Sequence, residues 1–420
     1  MLVKNNIDTQ KSLSSITDEI LFCLYTIGYL ILTLLPAIKY SVPYIFAGTY
    51  CLVPIAMYYL RFPEFRDTIT FITLAGLICG LLTYLLDNGG ANSIVNIPID
   101  YLRYFLPCIL FVNSFKVSDL SRKIIWTVAA IIMIFVTIKT SNALNDDPMI
   151  ARILAIGDLE KKYADYRMQN VAGFGFCYAV GFIFPLCVST VTETSNKIIK
   201  TLAVISAISI FLFVLKTQYM ILLLLCVFTV ILSVIYGQKN VFFKLIGCTF
   251  VVFFILALPK LLTVLNSFNL GNIIFGKISR TINFLNGSVA AEETTSRTEL
   301  YKAALMEFLR SPLWGTLKSK SAAECHSTVF GIGCTTGIIG LSSYAYLLFA
   351  NYNTVTFKLK QNGLVKTPFI IAFFAFVILA MFNPVEYTYE ISVVVFLLIP
   401  ITICLLYDKN KEKKDEKLGT

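Results

Sequence analysis

The chain of 420 residues uses histidine once, at His326 in "CHSTVFGIG". Unperturbed imidazole has a pKa of about 6.5, so a firmly held histidine can take a proton from a hydroxyl and release it near neutral pH. The other residues suited to chemistry are cations. Lys260, Lys277, Arg280, Arg297, Lys302, Arg310, Lys318 and Lys320 precede His326 in the longest polar stretch of the chain. Arg152, Lys161, Lys162 and Arg167 lie in an earlier polar stretch, and Lys216 stands alone in "LKTQY". Guanidinium is a planar, weakly hydrated fork that fits phosphate. Ser296-x-x-Glu299 has the form of a capping box. Arg297 is therefore expected to open a helix, where backbone N–H groups and the helix dipole also favour an anion.

Each of these residues has a plainer role open to it. Loop arginines commonly lie on the surface or pair with acids, and Glu292, Glu293, Glu299 and Glu307 are close in sequence. A lone histidine at a membrane border also serves as an interfacial or hydrogen-bonded structural group. Gly333-x-x-x-Gly337 and Gly340 suit close helix packing. A phosphate-binding glycine loop would need a strand before it. Asp87, Asp100, Asp146 and Asp147 are carboxylates near span ends, and no pairing among them can be read from sequence.

The elements that must position these groups are apolar helices. Hydrophobic residues make up 57% of the chain and charged residues only 14%, against about 25% charged in soluble domains. About twelve stretches are candidates to cross a hydrocarbon core of about 30 Å. They fall near 20–37, 42–60, 68–86, 101–115, 124–140, 171–191, 198–215, 219–236, 241–258, 327–349, 368–382 and 388–406. The fourth and eleventh are short. A helix satisfies its own backbone without water, whereas barrel strands would alternate polar and apolar residues. The expectation is an all-α polytopic membrane protein, a single membrane domain over 1–420. The first run follows about nineteen polar residues and lacks a small-x-small cleavage site, so it reads as a retained span.

Orientation follows from the short loops. With the N-terminus in the cytosol, the inner loops carry Arg61, Arg66, Lys116, Arg122, Lys123, Lys197, Lys200, Lys239, Lys244, Lys358, Lys360 and Lys366. The opposite short loops are nearly free of base: "DNGGANSIVNIPID" has none, and neither does "NPVEYT". An even number of spans puts both termini inside, with a charged cytoplasmic tail over 407–420. Two long loops, about 141–170 and 259–326, then lie outside. The net charge of +10 is scattered along loops and gives no sign of nucleic acid as a partner. Eleven cysteines, among them Cys23, Cys51, Cys79, Cys226 and Cys248 in apolar runs, form no CxxC. With one histidine, no metal site is expected.

"SRTELYKAALMEFLRSPLWG", a short polar gap, and a histidine leading into a glycine-bearing span together resemble the signature region of the O-antigen ligase and polysaccharide polymerase (Wzy-type) superfamily. "YRMQNVAGFGF" resembles that family's basic loop followed by "N..A". "LKTQYMILLL" sits where many members show a Ser-Arg pair. Ser327 stands where Asn is usual after the histidine, Lys216 where Arg is usual, and the gap after Gly315 lacks a second glycine. The likeness covers the whole topology, but its motifs cover only a few dozen residues.

Membership would imply a membrane-embedded, metal-independent glycosyltransferase in the bacterial cytoplasmic membrane, without a cofactor. Its donor would be an oligosaccharide on undecaprenyl diphosphate at the outer leaflet. The acceptor would be another lipid-linked repeat unit in a polymerase, or a lipid A core in a ligase. Flippase and chain-length regulator proteins would be partners. The roles implied are His326 as base, Arg297 at the catalytic centre, and Arg167, Lys216 and Arg280 on the diphosphate. A flippase of lipid-linked oligosaccharide is the rival of another class. Transporters place their site near mid-membrane on broken helices, and the spans here read as nearly free of charge.

Overall fold

The computed structural model describes residues 16–61, 63–85, 92–154, 161–194, 196–217, 219, 222–223, 226, 291–316, 327–385 and 388–406. All regular structure among them is helical. The long helices are α1 (Ile16–Leu34), α3 (Tyr44–Arg61), α4 (Pro63–Leu85), α5 (Ser93–Ser114), α6 (Asp119–Asp146), α9 (Phe174–Glu193) and α10 (Lys197–Lys216), then α11 (Ala291–Arg310), α12 (Thr328–Gln361), α13 (Thr367–Phe382) and α14 (Tyr389–Leu406). Three short ones lie between them: α2 (Pro36–Ser41), α7 (Ile150–Ile153) and α8 (Lys161–Met168). Eight are long and apolar enough to cross a membrane: α1, α4, α5, α6, α9, α10, α12 and α14. With α3 and α13, they coincide with ten of the expected stretches. The other two, 219–236 and 241–258, lie almost wholly outside the described residues. The architecture is that expected of a polytopic membrane protein.

Local sequence sets the helix boundaries. Leu35 is extended, as the residue before a proline must be, and Pro36 opens α2. The Ser118 side chain accepts from Ser121 N at the start of α6, and Asn196 accepts from Ile198 N and Ile199 N at the start of α10. Ser327 caps α12 through Phe330 N. In the last helix, residues Val394–Leu398 form a π-helical turn.

The core is a continuous packing of aliphatic and aromatic side chains around α14, whose residues from Ile391 to Ile399 are almost entirely buried. Phe396 meets Phe369, Phe373, Phe376 and Tyr104 edge-on or tilted, with centroids 6.2 to 6.4 Å apart. Gly76 and Gly80 bring α4 against α5. A Cβ on either would come within 2.7 Å of Pro98 Cα or Ser93 O. Leu24, Leu60, Leu74, Ile131, Leu212 and Phe374 are exposed on the outer surface, as lipid-facing residues are.

Three boundaries differ from expectation. α5 begins at Ser93 rather than near Tyr101. The Asn- and Pro-containing stretch before Tyr101 reads as a turn, yet its backbone continues the helix packed against Gly76 and Gly80. The stretch 141–170 is not one loop. α6 runs on to Asp146, and α7 and α8 follow. α11 begins at Ala291, so Ser296 is inside the helix and does not cap it. Arg297 therefore sits about two turns inside α11, and the anion-binding role of a helix start is not available to it.

Gly337 divides α12. Its φ of 62° and ψ of −155° are non-helical, and the segment after α11 fills the break. Ile338 N donates to Pro312 O at 2.8 Å, and Thr316 N donates to Cys334 O at 2.8 Å. A Cβ on Gly337 would lie 2.5 Å from the Leu313 carbonyl carbon, and one on Gly315 (φ 80°) 2.3 Å from Thr335 O. Close packing is thus the role of Gly337, toward the "SPLWG" segment itself.

Candidate functional site: an ionic cluster at one end of the bundle

The two ends of the bundle separate by chemistry. At one end, Glu19 on α1 accepts from Ser118 N at 2.8 Å and from the Ser121 hydroxyl at 2.5 Å. Asp119 pairs there with Lys123 and Arg122. At the opposite end, charged groups from widely separated parts of the chain converge.

Lys39 on α2 places its Nζ 2.6 Å from Glu390 Oε1, at the head of α14. Burial alone would push the Lys39 ammonium down. The Glu390 carboxylate, together with Tyr40, more than offsets this and holds it above its ordinary value. Glu390 is 8% exposed, and its Oε2 has no hydrogen-bond partner among the described residues. That oxygen lies 3.0 Å from where a Cβ on Gly175 would stand, so the glycine at the head of α9 makes room for it.

Arg103, 7% exposed and well inside α5, lies next to this pair. Its guanidinium stacks 4.0 Å from the Tyr389 ring centroid and 5.5 Å from that of Tyr44, with Asp100 Oδ1 at 4.0 Å. Asp100 accepts from the Tyr44 hydroxyl at 2.5 Å and from the Tyr389 hydroxyl. The Tyr29 hydroxyl donates to Arg103 O at 3.4 Å. Arg167, near the end of α8, extends the cluster. It stacks 4.0 Å over Tyr40 and donates from Nη2 to Leu154 O at 2.8 Å. Asn170 ties α8's C-terminal turn to α2, its Oδ1 accepting from Ala37 N at 3.1 Å. Lys39, Arg103 and Arg167 against Asp100 and Glu390 leave one positive charge in excess.

Two more features belong to this end. Lys216, the last residue of α10, donates to Asn145 Oδ1 at 2.9 Å and to Ser141 O at 3.4 Å on α6. Thr328, first in α12, is tied to the turn before α14. Its hydroxyl donates to Asn383 O at 2.9 Å and accepts from Val385 N at 2.8 Å. The start of α12 and the turn after α13 are thereby held together.

Of the residues picked out in the sequence, Arg167 joins the cluster and Lys216 lies at the same end, bonded to α6. Arg297 is on α11. His326 and Arg280 lie outside the described residues, as do Lys260, Lys277, Lys318 and Lys320. Sequence reading missed Lys39, Arg103, Tyr389 and Glu390, and left Asp100 without a partner. It also took the spans as nearly free of charge, whereas Asp100 and Arg103 are inside α5 and Glu390 inside α14. An ionisable residue within an apolar run is itself a sign of function or of a buried pair, and that sign was present in the sequence at Arg103 and Glu390.

No protein-family model matches the chain, and no curated protein does.

Proposed function

We propose that the chain is a polysaccharide polymerase, a glycosyltransferase that joins undecaprenyl-diphosphate-linked repeat units at the outer leaflet of a bacterial cytoplasmic membrane. The observation that supports this most is the ionic cluster of Lys39, Arg103, Arg167, Asp100 and Glu390. It gathers at the end of the bundle to which the loop charges assign the outer leaflet. The single positive charge in excess within that cluster suits a diphosphate. A buried cation desolvated among apolar helices acts more strongly than one in water.

In this reading the acceptor hydroxyl oxygen attacks the anomeric carbon. The bond from that carbon to the diphosphate oxygen breaks, the hydroxyl proton passes to His326, and undecaprenyl diphosphate leaves as the anion. Arg297, Arg167, Lys216 and Arg280 stabilise the charge that grows on the leaving group, usually the largest catalytic contribution. Both termini are cytoplasmic, and twelve spans complete the bundle. Ligation to a lipid A core is the same chemistry with a different acceptor.

A flippase is supported by one observation, the charged residues inside α5 and α14, because transporters also carry ionisable groups within their spans. Deleting the gene in its native bacterium separates these readings. Loss of polymer, with single repeat units still reaching the surface, supports the polymerase. Polymer accumulating on the lipid carrier supports the ligase. Repeat units accumulating at the inner leaflet support the flippase. An unchanged glycan profile rules out all three.

A further inference from the structure

We propose that α11 and the turn after it form an interfacial anchor, with Leu305, Met306, Leu309, Leu313 and Trp314 seated among lipid headgroups at the end of the bundle that carries the ionic cluster. This inference does not depend on the enzymatic reading.

α11 is apolar on two sides. One side packs on α12. Tyr301 stacks on Phe330 with centroids 5.2 Å apart, and Ala304 is buried with Cys334. Steps of about 100° per residue place Leu305, Met306 and Leu309 in a separate sector. These three are 44%, 49% and 61% exposed, and Leu313 and Trp314 are 54% exposed each. Scattered exposed apolar residues are ordinary, but a contiguous group marks a contact surface. Lys302 shares the sector and Arg310 borders it, both exposed. Long cations beside an apolar face suit a headgroup layer, where the stem is covered and the charge stays wet.

Depth identifies the occupant. Ile338 precedes Lys358 by about 20 residues, or ~30 Å of helix, the thickness of a hydrocarbon core. With Lys358 at one headgroup layer, Ile338 reaches the other. Pro312 accepts the Ile338 N–H at 2.8 Å, so Pro312, Leu313 and Trp314 are held at that level. Ile338 is itself 44% exposed, so the patch continues onto the lipid-facing side of α12. Tryptophan is enriched at this depth. A soluble partner would need the patch clear of the bilayer, and the backbone bond to α12 prevents that.

The chain has two tryptophans, Trp314 and the buried Trp126. Full-length protein is reconstituted into phosphatidylcholine–phosphatidylglycerol vesicles, and the fluorescence of Trp314→Phe is subtracted from that of wild type. Lipids brominated near the headgroup end of the acyl chain should strongly reduce the Trp314 signal. Lipids brominated near the chain end should reduce it less, and aqueous iodide hardly at all. Quenching by iodide alone would overturn the proposal, as would strongest quenching by chain-end bromine. Resistance to every quencher would mean that protein covers the face and would overturn it too. If Trp314→Phe does not fold, Trp126→Phe leaves Trp314 as the sole reporter.

Discussion

Lys39 and Glu390, 351 residues apart in the chain, are joined by a contact of 2.6 Å that ties the short helix after the first span to the head of the last. The pair is mostly buried, with side-chain exposures of 21% and 10%. Removing one partner leaves the other charged with little water around it. Lys39→Met and Glu390→Gln should each lower stability by about 2 kcal/mol, less than for a fully buried pair because Lys39 reaches solvent. The double variant should recover much of the loss, as thermal unfolding in detergent would show. Because the folded-state pKa of Lys39 is raised, its contribution is full at neutral pH. It should fade only as pH rises through and above the ordinary lysine range.

Arg103 is held by shape as well as charge. Lysine at this position keeps the charge but cannot present a flat face to Tyr389 and Tyr44. Arg103→Lys should cost about 1–2 kcal/mol. Arg103→Met removes the cation beside buried Asp100 and should cost about 3–5 kcal/mol. A wild-type unfolding temperature in Arg103→Lys would show that the stacking contributes nothing, and equal temperatures in the two variants would show the same of the charge.

Gly337→Val should detach the segment 311–316. A β-branched residue at φ 62° costs at least about 1–2 kcal/mol. Its Cβ would also press on the Leu313 backbone, which has no rotamer with which to yield. Trypsin should then cut after Arg310 much faster than in wild type, and Gly333→Ala, whose added Cβ meets only Phe308 at 3.6 Å, should not reproduce this. Slow cleavage in Gly337→Val would mean that the segment is held by other contacts.

Under the proposed function, His326→Ala should abolish polymer growth while leaving a normal amount of protein in the membrane. Normal polymer from this variant would remove His326 as the base. Arg297→Lys should reduce activity if the guanidinium fork grips phosphate. Lys216→Gln should reduce polymer with a stability change within about 0.5 kcal/mol, because its partners are neutral oxygens.

Apolar run length located ten helices, eight of them long and apolar enough to cross a membrane, because such length is a local property of each helix separately. The ionic cluster demanded something else, the meeting of α2, α5, α8 and α14. No local spacing encodes the approach of Lys39 to Glu390. Arg103 was hidden by a boundary: with "NSIVNIPID" read as a turn, it fell near a span start, where a cation is unremarkable. The lengthened α5 moves it nearly three turns inside, where it requires the aromatic and acidic company it has. In α11, the string "SRTELYKAALMEFLRSPLWG" carries no mark of which apolar residues face the bundle. Only the packing on α12 shows that Tyr301 and Phe308 face inward and Leu305 outward.

The π-helical turn at Val394–Leu398 has a consequence for rotational phase. Such a turn accommodates one residue more than an α-helix would, and each residue advances the helix by about 100°. Above it, Glu390 faces Lys39; below it, Thr402 accepts from Trp126 Nε1 at 3.1 Å. Excising one residue between them and restoring plain α-helix would swing Glu390 about a quarter-turn away from Lys39 while Thr402 kept its place. The bulge acts as a phase shifter, and it lets one continuous rod satisfy two partners that a regular helix could not face at once.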